Sequence, residues 1–482
     1  MSDELIADVE DQVVATSEED TLNGGDPPLT EKEIKRNFIF LIALDAIYTT
    51  GATDFTLALN TLLVYLKASN AIIGLINGMV LPGLLGIFVS PWISKRYPRK
   101  KWYYFVSNVP LNLCLGVIGG MLLLSGRLHL TTGFMIAFVF GAVLCYNLCS
   151  GFVSLPCQEL IAGAIPMSYR GRFTGFGGTI CSIFGFLGGG IAYVVLKYYP
   201  KPMCYAVLFL ITYAFMQGSM FMALFAKERR VPVEKAPNAW SLEMLKAAWQ
   251  NKPWLRVILL YAMNYLFILP TWNFVTIYGL KGLHMPSETA ATMQIIAKAT
   301  AFVICPIVGL AGDKWGMKRI LPAYPILIVL SLIPVLIFHN PMSVYVCAFL
   351  HHRVVAHTAV IHNPAAGYAC LFLHHLMIVR PAIIALYLCV FLNQVTVNTA
   401  IIAFTVLLFG LPRAEHRTGH FTLQILIWNL VTFLGNMLMG KAIDKFGYHH
   451  VFTFSAIIGL LLLPVVMWII APLSADPKAY EQ

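Results

Sequence analysis

Gly309-Leu-Ala-Gly-Asp-Lys-Trp-Gly-Met-Lys-Arg319 separates two apolar runs, residues 289–310 and 320–338. Each run is close to the roughly 20 residues that a helix needs to cross a bilayer. The joint between them is short, glycine-containing and basic. Gly309 and Gly312 carry no side chain and let helix ends approach closely. Asp313 can cap a helix N-terminus or pair with an arginine. Gly316 permits the left-handed turn that reverses the chain. Lys318 and Arg319 hold this end on the cytoplasmic side. Two spans joined in this way point to an all-α polytopic membrane protein.

The composition agrees. The chain is 58% hydrophobic and only 12% charged, where a soluble protein carries about a quarter charged residues. Its net charge of +10 is unevenly placed: the first thirty residues hold nine Asp or Glu and no Lys or Arg. The basic excess lies in loops between apolar spans, so it is not the footprint of a nucleic-acid partner. All ten cysteines sit in or beside apolar segments with no CxxC pair, which reads as packing rather than disulfide or redox use. An acidic N-terminus argues against a cleavable signal peptide.

Working outward gives twelve spans in two sets of six. Residues 1–36 read as a disordered acidic cytoplasmic tail. The first bundle, 37–226, contains spans 38–66, 72–93, 103–124, 132–161, 173–196 and 203–225. A linker, 227–253, carries an amphipathic helix over 241–250. The second bundle, 254–472, contains spans 255–278, 289–310, 320–338, 383–409, 418–440 and 451–470, and a short cytoplasmic tail, 473–482, follows. With both termini inside, cytoplasmic segments hold 23 of the 33 Lys and Arg and outer loops nine, as the positive-inside rule requires.

The halves also align with each other. A shift of 219 residues lays Asp45 on Asn264, Asp54 on Asn273, and 90–100 on 309–319. A shift of 246 lays Asn147 on Asn393 and Pro166 on Pro412, each proline preceding a basic turn. This internal symmetry, with G-x-x-x-D-K-x-G-x-K-R at 309–319, resembles the major facilitator superfamily of secondary transporters over roughly 37–471. The equivalent first-half loop departs from the pattern, with Ser94 for the Asp and Tyr97 for the Gly. The resemblance implies two pseudo-symmetric six-helix bundles around a midplane site. It also implies a conformational latch made of Gly309, Asp313, Gly316, Lys318 and Arg319, with Asp313 facing Arg170 or Arg172 at the start of the fifth span.

One segment stands outside this plan. Residues 339–361 and 362–384 match at a period of 23, and a partial third copy opens the tenth span. Tandem duplication explains why seven of the thirteen histidines fall between His339 and His375. Adjacent His-His pairs point to different helix faces, so no metal site is expected.

Candidate site residues follow from polarity inside spans. Asp45, Thr49, Thr53, Thr56 and Asn60 share one stripe of the first span, while Asp54 lies on the opposite side near mid-span. Either Asp could carry a proton, and the resemblance implies a proton-coupling Asp in this helix. Lys298 lies mid-span with Gln294 one turn earlier, as a cavity wall would have it. Amides and aromatics recur in the spans that line the family's cavity: Asn147, Asn264, Tyr265, Trp272, Asn273, Gln294, Asn393, Gln394, Asn398, Gln424 and Trp428. Groups that both donate and accept, beside flat rings, suit a polyhydroxylated solute. The competing use of each is hydrogen bonding between helices.

No nucleotide loop, nucleophile triad or metal-ligand spacing is present, so neither an enzyme nor a cofactor is expected. The glycine-rich fifth span lacks the proline of the family's antiporter motif, which argues against drug efflux. The expectation is a monomeric, multi-pass transporter of the cell membrane. It would move a small polar, sugar-like solute by alternating access, coupled to protons or another ion, in symport. The alternatives are a drug or metabolite exporter, an organic-anion transporter, and a membrane sensor that moves nothing.

Overall fold

The computed structural model describes residues 29–228, 246–338, 381–411 and 417–470, apart from positions 95, 98, 166, 247 and 316. The expected disordered tail up to residue 28, most of the amphipathic linker helix, the duplicated segment at 339–380 and the C-terminal tail lie outside them. All regular structure among the described residues is helical. In chain order the helices are α1 (Glu31–Tyr65), α2 (Asn70–Asn77), α3 (Gly83–Ser94), α4 (Lys100–Leu128), α5 (Thr132–Ala164), α6 (Met167–Tyr198) and α7 (Met203–Phe225). There follow α8 (Lys252–Met263), α9 (Leu269–Ile277), α10 (Ser287–Trp315), α11 (Met317–Ile320), α12 (Ala323–Phe338), α13 (Pro381–Gly410) and α14 (Arg417–Ile470). Single π-helical turns, Asn264–Ile268 and Tyr278–Gly282, flank α9.

Every expected span is mainly helical in its described residues, which is consistent with twelve. Among the described residues, nine helices are long and apolar enough to cross a membrane, and Ala323–Ile337 is a shorter apolar helix. Three local differences have physical causes. First, α1 begins at Glu31, inside the stretch assigned to the tail. Thr30 and Glu33 form a reciprocal cap there, the Thr30 amide donating to Glu33 Oε2 at 2.9 Å and the Glu33 amide to Thr30 Oγ1 at 3.4 Å. Second, the expected span 72–93 is broken into α2 and α3. Gly78, Pro82 and Gly83 lie at the break, where a proline cannot donate to the helix ladder. Third, the last two spans run on as α14, reversed inside it at Gly447, whose φ of 81° and ψ of 163° are open to glycine alone.

The chain forms two compact units that do not follow the two sequence halves. The first comprises residues up to Thr56, Met79–Gly188 and Tyr199–Leu245. The second comprises Leu57–Gly78, Gly189–Tyr198 and Lys246 onward. Parts of the first, second and fifth spans thus belong to the second unit.

In the first unit, one end is tied by buried polar contacts. Asn37 is fully buried; its Nδ2 donates to the Ala164 carbonyl (2.9 Å) and the Lys227 carbonyl (2.8 Å), and its Oδ1 accepts from the Lys227 amide (2.8 Å). Arg36 donates to the Phe225 carbonyl at 3.2 Å. Glu228 caps α4, its carboxylate accepting from the Lys100 and Lys101 amides at 2.8 and 3.0 Å. Lys101 Nζ in return satisfies the carbonyls of Leu224 and Ala226 at the end of α7. Beside these ties lies an apolar cluster that includes Leu41, Leu44, Tyr104, Leu160, Phe173 and Met220.

In the second unit, α2 lies against α14 with almost no space between backbones. A Cβ on Gly74 would fall 2.2 Å from the Asn436 carbonyl oxygen, and one on Gly440 2.3 Å from that of Asn70. Glycine is required at both positions by this approach.

Candidate functional site

The π-helical turn Asn264–Ile268 builds the polar centre of the second unit. An extra residue in the turn re-aims the side chains it carries. Tyr265 is half-buried and meets the half-buried Trp428 edge-on, with ring centroids 6.4 Å apart at 89°. Tyr261 packs on Tyr265 with ring centroids 4.5 Å apart. Gln424 and Trp428 are one turn apart on α14 and both half-buried. Asn264 is buried and accepts a hydrogen bond from the Tyr324 hydroxyl. Tyr324 and Tyr261 both rest edge-on against Phe404. Two perpendicular rings and an amide therefore meet in one partly accessible patch. Such a patch offers a face for stacking and both donors and acceptors.

The remaining amides are used differently. Asn273 Nδ2 donates to Asn436 Oδ1 at 2.8 Å, a contact between helices. Asn398 Nδ2 donates to the Gln394 carbonyl at 2.8 Å, and Asn147 Nδ2 in the first unit to the Val143 carbonyl at 2.9 Å. Both bonds turn back onto the residue's own helix. Trp272 is 7% exposed and belongs to the packed interior. Gln294 and Lys298 are half-buried on α10. Asn393 and Gln394 are half-buried on α13, and Asn393 Oδ1 is buried with no hydrogen-bond partner among the described residues.

In the first unit the two carboxyls of α1 have different settings. Asp45 borders a cavity of about 10 Å³ with Leu41, Leu44, Tyr104, Cys157, Leu160, Ile161 and Phe173. That is room for about one water. The hydroxyls of Thr49, Thr53 and Thr56 along the Asp45 stripe donate to carbonyls one turn back in α1. Asp54 is wholly buried, and neither of its oxygens has a hydrogen-bond partner among the described residues. One turn earlier, Thr50 donates to the Phe184 carbonyl, and its own carbonyl lies 2.7 Å from where a Gly188 Cβ would be. Asp54 thus shares the face of α1 that packs on α6. Glu159, a third carboxylate, pairs with Lys100 at 3.6 Å.

Of the expected latch, Gly309 sits in open space and Arg319 is exposed. The side chains of Asp313, Lys318, Arg170 and Arg172, and Gly316 itself, lie outside the described residues. Sequence reasoning missed Tyr261, Tyr324 and Asn436. The four-residue step from Tyr261 to Tyr265 was the available signal for the first; nothing local marks the other two.

The sequence model of the Major Facilitator Superfamily matches residues 38–366. The chain belongs to the major facilitator superfamily. Among solved structures, this superfamily member resembles a D-xylose-proton symporter with a TM-score of 0.59 and 13% identity, covering 91% of this chain and 99% of that one. It resembles the nucleoside transporter NupG with a TM-score of 0.55 and 13% identity, over 91% and 98% of the two chains. A bacterial homologue of the iron transporter ferroportin, solved in an inward-facing state, gives a TM-score of 0.57 and 13% identity over 92% and 100%. At these identities the likeness establishes the fold. No curated protein sequence matches significantly.

Proposed function

We propose that this superfamily member is a proton-coupled symporter of a small, polar, uncharged organic solute of the sugar or nucleoside kind. The observation that carries the reading is the patch of Tyr265, Trp428 and Gln424 beside Asn264. A ring stacks on the flat face of a sugar or base, and an amide bonds its hydroxyls or ring nitrogens. The solved neighbours include a xylose-proton symporter and a nucleoside transporter, two solute classes that such a patch accommodates. Asp54 is the proposed proton carrier. A charge there would have no hydrogen-bond partner among the described residues, whereas the neutral acid is tolerated, so movement that exposes the residue to water would load or release a proton. Asp45, beside its one-water cavity, is the second candidate. Transport would proceed by alternating access, which needs neither a catalytic residue nor a cofactor.

The test is uptake into proteoliposomes with a panel of pentoses, hexoses, nucleosides, amino acids and organic anions, with and without an imposed pH gradient. Saturable uptake of a sugar or nucleoside, concentrated only when the pH gradient is present, is the expected result. Uptake confined to organic anions would replace this reading with one centred on Lys298, and no flux of any solute would favour a sensor.

A further inference from the structure

The end of the second unit that carries residues 65–71, 278–284 and 441–450 holds a polar cluster that the solute site does not use. Asp444 Oδ1 accepts from the Asn70 amide at 3.1 Å and from Asn70 Nδ2 at 2.8 Å, and its Oδ2 accepts from the Ala71 amide at 2.8 Å. The carboxylate thus caps α2 from the turn near Gly447, with Ser69 capping the same helix locally through the Ile72 amide. The Tyr448 hydroxyl donates to Asn70 Oδ1 at 2.8 Å. Lys281 Nζ reaches the same oxygen at 3.3 Å and also the Ala68 carbonyl. Three residues of the first sequence half, Ala68, Asn70 and Ala71, are therefore held by three side chains of the second.

Three features set this cluster apart from an ordinary helix cap. Its bonds join segments more than 200 residues apart. They sit at an exposed or half-exposed end, where water can replace them. Behind them is the glycine seam of Gly74 and Gly440, where the two backbones meet directly. The moving parts have hinges on either side: α2 is eight residues long and broken from α3, and α14 turns at Gly447.

We propose that Asp444 is the latch that holds this end of the transporter shut, opposite in effect to the Gly309–Arg319 loop at the other end. The Lys and Arg distribution assigns the Asp444 end to the outside. The inference rests on the alternating-access reading above. Release of Asp444 from α2 frees the outer ends of the first two spans, and the population shifts toward the state closed at the other end.

The test is hydrogen–deuterium exchange on the full chain in lipid nanodiscs, comparing wild type with Asp444→Asn. The variant should exchange the amides of residues 68–78 at least tenfold faster, and those of 309–315 at least twofold more slowly. Acceleration confined to 68–78 would make Asp444 a static cap and overturn the proposal, as would no acceleration at all. Tyr448→Phe removes one bond and leaves the charge, so it guards against misfolding of the first variant. It should move both segments in the same directions by smaller factors, and no shift there would also overturn the proposal. The readout needs no solute. A chain that moves no solute but shows the reciprocal exchange would sink the transport reading and leave the latch standing.

Discussion

Asp54 and Trp428 are the two residues on which the proposed transport cycle turns. Ionising Asp54 in place costs on the order of 3 kcal/mol at mid-bilayer depth, with no hydrogen-bond partner among the described residues to offset it. Asp54→Asn keeps the shape and removes the proton. It should abolish accumulation driven by a pH gradient while solute exchange between equal concentrations continues; a variant that still concentrates solute would make Asp54 structural. Trp428→Ala should raise the half-saturating solute concentration by about fivefold, since a well-placed aromatic pair is worth ~1 kcal/mol beyond its burial. An unchanged concentration dependence would move the binding patch elsewhere. Sequence reasoning reached Asn264, Tyr265, Gln424 and Trp428 because a polar or amphipathic group inside an apolar span is conspicuous. It could not separate them from Asn147 and Asn398. An amide reads the same in sequence whether its donors are free or spent on the carbonyl four residues back.

At the level of elements, helix ends carry the sharpest expectations. Glu228→Ala leaves the Lys100 and Lys101 amides without their acceptor and should cost about 1–3 kcal/mol, read as a lower unfolding temperature in detergent. Burial pushes the Glu228 carboxyl up from its ordinary value, against the pull of those two amides. Its folded-state pKa therefore lies above the unfolded one, and its contribution to stability declines as pH rises through the folded-state value. Glu228→Gln, which resembles the protonated form, should lose less stability than the alanine variant and should flatten this pH dependence. Gly74→Ala cannot keep α2 against α14, because the new methyl would lie 2.2 Å from a carbonyl oxygen. Faster amide exchange across α2 is the expected sign of separation. The break between α2 and α3 escaped a reading by hydropathy, which is continuous across it. Apolar content says nothing of backbone continuity, whereas Gly78, Pro82 and Gly83 together were the legible warning.

For the molecule as a whole, the repeated spans were legible because a bilayer imposes length and polarity on every one of them. The grouping into two units was not, since it depends on which helix ends touch. Deletion of residues 341–382 joins Asn340 to Ile383 at the start of the tenth span and keeps its direction. This shortened chain should insert and stay folded, as monitored by size-exclusion profile and thermal unfolding. Aggregation on deletion would show that the duplicated copies have become part of the fold. A different consequence attaches to Asn37. Its side chain lies at the start of the first helix, yet one of its partners, Lys227, is reached only after all of the first six spans have been made. During synthesis the start of α1 must wait, with a buried-to-be amide still bound to water, until about 190 further residues have left the ribosome. The fastening of Asn37 to Lys227 thus marks the moment at which the first half is complete.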